Sequence, residues 1–152
     1  MRRSLTAGIG IGIVGIALVG GVYFLLDIQP SAREPDVQRG ASLYAEYCAS
    51  CHGTNLKGQP DWRIRRSDGR LPAPPHDETG HTWHHPDQQL FDITKFGSEA
   101  MIGSGYKSDM MGFGDTLNDA EIWDILAFIK SNWPDRERQI QEQSTRQSEG
   151  RQ

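Results

Sequence analysis

The run Cys48-Ala49-Ser50-Cys51-His52 has residue types and spacing that prescribe a particular chemistry. Two thiols three residues apart, followed at once by an imidazole, form the Cys-x-x-Cys-His pattern of c-type haem attachment. The thiols add across the porphyrin vinyl groups as thioethers, and the adjacent ring is then brought onto the iron from one side. A structural zinc site needs four N or S ligands and usually a second cysteine pair, whereas a thioredoxin-like redox pair needs a βαβ setting. The chain contains 2 cysteines, so the motif predicts one covalent haem c, attached at Cys48 and Cys51, with His52 as an iron ligand.

An iron held by His52 has a second axial position. The side chains available for it are Met101, Met110, Met111 and the remaining histidines His76, His81, His84 and His85. A thioether there stabilises ferrous iron and favours electron transfer, whereas an open position favours binding of a small molecule. Met110 and Met111 stand just before Gly112-Phe113-Gly114, in a loop long enough to cross an open haem face. Local geometry does not choose between them.

The elements that must position these residues follow from periodicity. A helix is predicted from about Asp36, because Val37, Ala41, Tyr44 and Cys48 fall on one face and deliver the first thiol at its end. Gly40 within it is either a tolerated surface glycine or a point of close approach by another backbone. A second helix begins at Leu117-Asn118-Asp119-Ala120-Glu121, where Asn118 and Glu121 form a capping box and Leu117 and Ile122 a staple. Ile122, Ile125, Leu126 and Ile129 make its apolar stripe, with Phe128 beside it, and Pro134 stops it after Trp133. Gly40 and Tyr44 are expected to pack against Phe128. Between these helices, residues 53–114 are rich in Gly, Pro, Asp and His, with a weak helical stretch at about Asp87 to Phe96 and no convincing alternating strand.

Of the 152 residues, the first quarter is set apart by composition. Ser4 to Leu26 carries no charge, and as a helix rising about 1.5 Å per residue it reaches roughly 34 Å, enough for the hydrocarbon layer. Leu25-Leu26-Asp27-Ile28-Gln29 offers no signal-peptidase-like site, so residues 1–28 are read as an uncleaved anchor. Arg2 and Arg3 before the span and Asp27 after it place the rest of the chain outside, in the periplasm of a bacterium. Residues 29–35, with two prolines, read as a linker, 36–133 as the haem domain, and 134–152 as a polar tail, disordered or a frayed helix. A domain of about 100 residues buries a modest core, which an apolar cofactor would complete.

Gly40, Tyr44, Cys48, Cys51, His52 and Gly53, then Met110-Met111-Gly112-Phe113, then Leu117 through Phe128-Ile129, together resemble the class I c-type cytochromes. The resemblance covers both ends of residues 36–133. It implies an all-α cytochrome c fold, small helices around one haem, preceded here by the transmembrane helix. It also implies Met110 as the second iron ligand, with Met111 standing where the family usually has proline and as the alternative ligand.

His76, His81, His84 and His85 lie in one segment with Asp77 and Asp87, and imidazoles at this density suit copper or zinc. Gly80 and Pro86 leave little regular scaffold for four placed ligands, so a polar loop with Trp83 tucked in is expected instead. Lys57, Arg63, Arg65, Arg66 and Arg70 follow the haem motif and suit propionates, an acidic partner or solvent. A net charge of −4 argues against nucleic acid. The function expected is electron transfer between redox proteins by a membrane-tethered carrier with no catalytic residues of its own. Alternatives are a relay subunit of a respiratory or dehydrogenase complex, or a ligand-binding haem sensor.

Overall fold

The computed structural model describes residues 33–151. The expected anchor at residues 1–28 and most of the expected linker lie outside the described residues. Among the described residues, no helix is long and apolar enough to cross a membrane.

The helices, in chain order, are α1 (Val37–Tyr47), α2 (Ala49–His52), α3 (Asp87–Phe96), α4 (Ser98–Ile102), α5 (Asp119–Ser131) and α6 (Asp135–Glu149), with a short 3-10 turn at Thr82–His84 before α3. No strand forms among the described residues; one isolated bridge pairs Gly97 with Met111. The all-α expectation holds for this region.

Asp36 starts α1 by accepting from the backbone N–H groups of Gln38 and Arg39 at 2.9 and 3.0 Å. The α1 helix then crosses α5 at Gly40, where a Cβ would stand 1.9 Å from the carbonyl oxygen of Asp124. Only glycine permits that approach. The wholly buried Asp124 carboxylate reinforces the crossing by accepting from the Asp36 N–H at 2.6 Å and from Arg39 Nε. One turn further on, the Tyr44 and Phe128 rings meet with centroids 5.3 Å apart. The expected pairing is thus present, with Gly40 seated on Asp124 and Ile125 rather than on Phe128 itself.

The capping box of α5 forms as anticipated: Glu121 N–H donates to Asn118 Oδ1 at 3.1 Å, and Asn118 N–H to Glu121 Oε2 at 2.9 Å. Ile122, Ile125, Leu126 and Ile129 are buried with Tyr44, Leu90, Phe91 and Leu117. The helix ends at Ser131, two residues before the predicted stop, and Trp133 turns inward to become 2% exposed.

Residues 135–149, for which disorder or a frayed helix was expected, form a fifteen-residue helix, α6. Polar groups hold it. Gln141, 0% exposed, donates through Nε2 to Asp87 Oδ1 at 2.6 Å and to Thr145 Oγ1 at 3.1 Å. Thr145 Oγ1 accepts from the Asp87 N–H at 3.1 Å, and Ser144 Oγ donates to the His84 carbonyl at 3.1 Å. Lys130 from α5 reaches the same Asp87 carboxylate at 2.8 Å.

Candidate cofactor site

Cys48 caps the end of α1, and Cys51 and His52 close the one-turn α2 that follows it. Cys48 and Cys51 are not joined in a disulfide; Cys48 is buried and Cys51 exposed. Burial, with a smaller contribution from neighbouring Cys51, pushes the Cys48 thiol up to about 12. As a free thiol it would stay protonated at neutral pH, and in thioether attachment its sulfur and its proton would both pass to a vinyl group.

His52 is 6% exposed, and its Nδ1 lies 2.9 Å from the carbonyl oxygen of Pro74. A carbonyl only accepts, so Nδ1 carries the ring proton and Nε2 keeps its lone pair for a metal. Burial lowers the His52 pKa and the Pro74 bond partly opposes this, so the ring is neutral as a ligand must be. The donor set fits the haem reading: two cysteine sulfurs and one oriented imidazole. Among the described residues, no group of three or more His, Cys, Asp or Glu side chains is placed to hold a metal ion by itself.

What aims His52 is a double strip of chain. Gly58 N–H donates to the His52 carbonyl at 2.7 Å, Gln59 N–H to the Ala73 carbonyl at 2.9 Å, and His76 N–H to the Leu56 carbonyl at 2.7 Å. Gly53 follows the ligand at φ 81°, which a side chain rarely adopts, and its carbonyl accepts from the Tyr44 hydroxyl at 3.2 Å. A Cβ on Gly58 would stand 2.6 Å from the Ala73 carbonyl oxygen. Sequence reasoning missed Pro74 as the acceptor. The run Leu71-Pro72-Ala73-Pro74-Pro75 was the available signal, since consecutive prolines make a stiff strip whose carbonyls have few local partners.

Met110 is half-buried and shares a cleft with Phe96, Gly97 and Met111, while Met111 is 67% exposed. None of Cys48, Cys51 and His52 lines that cleft. The Met110 backbone is fixed on both sides: its N–H donates to Ser108 Oγ at 3.0 Å and its carbonyl accepts from the Ser98 N–H at 3.1 Å. The basic stretch has a role the sequence did not single out. Arg66 and Arg70 both reach the carboxylate of Asp109, next to Met110, at 2.8 and 3.0 Å. Met101 is 41% exposed.

The histidine segment is spread among aromatic partners. His81 stacks on Trp62 with centroids 5.3 Å apart, and His84 on Trp83 at 3.7 Å. His76 stacks on His52 at 3.9 Å. Trp83 packs partly buried against the core and donates its indole N–H to the Glu78 carbonyl at 3.3 Å.

The sequence of this domain matches known proteins. The family model described as Cytochrome c matches residues 37–133. A thiosulfate dehydrogenase of Allochromatium vinosum is 30% identical over 99 residues, 64% of this chain and 32% of that protein. The gluconate 2-dehydrogenase cytochrome c subunit of Pantoea cypripedii is 28% identical over 99 residues, 64% of this chain and 21% of that one. The cytochrome bc1 complex cytochrome c subunit of Mycobacterium tuberculosis is 31% identical over 67 residues, 40% of this chain and 24% of that one. The chain spans about a third or less of the length of these relatives.

Proposed function

This chain belongs to the cytochrome c family of haem electron carriers, and from that premise we propose a single-haem carrier tethered to the bacterial inner membrane, its haem domain in the periplasm. Cys48 and Cys51 would hold the haem, each adding its sulfur and its proton to one vinyl group, so attachment would need no oxidant. His52 would offer Nε2 to the iron while Pro74 holds Nδ1, and Met110, with Met111 as the alternative, would supply a thioether. When bound, the haem supplies the ferric and ferrous states between which one electron moves.

The observation that carries this reading is the His52 ring: buried, neutral, and oriented through Nδ1 by a backbone carbonyl. Beside the proposed second ligand, Arg66 and Arg70 both contact the carboxylate of Asp109, which braces the Met110 loop. The tether rests on the uncharged stretch from Ser4 to Leu26. The test is the weak sulfur-to-iron charge-transfer band of the ferric protein. Met110→Ala abolishes it and opens the iron to carbon monoxide, whereas Met111→Ala does neither. The opposite pair of results moves the ligand to Met111.

A second reading makes the same domain a relay within a larger assembly. Relatives described as cytochrome c subunits of a gluconate 2-dehydrogenase and of a bc1 complex favour it. Purification from mild detergent with a catalytic chain attached would establish it.

A further inference from the structure

The His52 ring is held at its edge by Pro74 and on its face by His76, whose imidazole lies nearly parallel at 17° with centroids 3.9 Å apart. We propose that His76 is a positioning residue for the iron ligand: its stacked ring fixes the plane of the His52 imidazole and, by offering that ring an electron-rich face, lowers the reduction potential. The inference rests on His52 being an axial ligand, as argued above.

Two observations carry it. First, His76 is fixed independently of its own side-chain nitrogens. Its N–H donates to the Leu56 carbonyl at 2.7 Å, its carbonyl accepts the Trp133 indole N–H at 2.7 Å, and the Tyr44 ring meets it edge-on at 5.9 Å. Second, His76 Nδ1 is buried without a hydrogen-bond partner. An aliphatic side chain would fill this space without the desolvation penalty of an unpaired nitrogen. What the imidazole adds is a flat π face.

The sign follows from charge. A ligand imidazole grows more positive when the iron loses an electron, and a π face against a ring of rising positive charge stabilises that state. The plane of the axial ring also selects which iron orbital holds the unpaired ferric electron, so the stack has a magnetic as well as an electrochemical signature.

The test compares the full-length holoprotein with His76→Leu and His76→Phe, both of which keep the backbone bonds of residue 76. In His76→Leu the ferric electron-paramagnetic-resonance g values change and the potential rises, shifting the reduction equilibrium about two- to fivefold, the scale of a cation–π contact. In His76→Phe both stay near wild type. Wild-type values in His76→Leu, or a His76→Phe that behaves as His76→Leu, overturn the inference. The wild-type ferrous protein gives a reading without substitution. A nuclear Overhauser contact between the two imidazoles is expected, and its absence overturns the stack. A wild-type protein lacking a low-spin ferric signal defeats the ligation reading and this inference with it; a normal wild-type signal beside an unchanged His76→Leu defeats the inference alone.

Discussion

Trp133 donates its indole N–H to the backbone carbonyl of His76 at 2.7 Å, which ties the residue just past α5 to the strip that aims His52. The bond joins the largest buried aromatic at the end of the helix to the segment carrying the His52 hydrogen-bond acceptor Pro74.

Trp133→Phe keeps most of the apolar bulk and removes the donor. Stability should fall by about 1–3 kcal/mol, the usual cost of a buried acceptor left unpaired. Denaturant midpoints of the wild-type and variant holoproteins measure it, and an unchanged midpoint would show that the bond does not survive in solution.

The α6 helix makes its own prediction. Gln141→Ala removes the donor to Asp87 and Thr145 and opens a small void, so α6 should detach while the rest of the fold stays intact. Limited proteolysis reads this directly: the wild type should resist cleavage within residues 135–149, and the variant should be trimmed there without loss of haem absorbance. Equal trimming of both would restore the disordered tail.

His81 titrates below the ordinary histidine value. Loss of water around its ring is the main cause, followed by repulsion from His85, His84 and Arg63. A folded-state pKa below the unfolded value means that the unfolded chain binds more protons on acidification. The stabilising contribution of His81 is therefore fully present above about pH 6.5 and is lost as pH falls below it. Proton NMR of the ferrous protein should place the His81 midpoint below that of a free histidine, and His85→Asn should move it upward. A midpoint unchanged by His85→Asn would remove repulsion from the account.

The proposed tether predicts that full-length protein stays with membranes after washing in high salt or alkali, with its mature N-terminus at or near Met1. A shortened protein beginning at Arg33 behind a cleavable export signal should be soluble with the same haem spectrum. Its electron delivery to membrane partners should fall, because a tether holds the carrier at high local concentration. A native mature N-terminus at Asp27 or beyond would identify a signal peptide instead.

Much of this architecture was legible because its signals are local. Asn118 and Glu121 cap the helix they are three residues apart to cap, and the Cys48 face follows from the period of α1. Gly40 announced a close approach, though Asp124 as the group it meets is 84 residues away in sequence and carries no pattern. The docking of α6 was missed because an apolar count registers only one kind of burial, and Gln141 is buried by hydrogen bonds to Asp87 and Thr145. At the site, the motif named His52, whereas its acceptor is a backbone carbonyl, which any residue type supplies. The stack of His76 on His52 likewise depends on two strips meeting, not on the spacing of the histidines.

The clasp between α6 and Asp87 has a calorimetric consequence. Exposing apolar surface raises the heat capacity of unfolding, and exposing polar surface lowers it. The cluster around Tyr44 and Ile125 follows the first pattern, and the Gln141, Thr145 and Asp87 network follows the second. Release of α6 should then add little to the total heat-capacity increment, so cooling, which weakens the packing of α1 on α5, leaves the grip on α6 nearly unchanged.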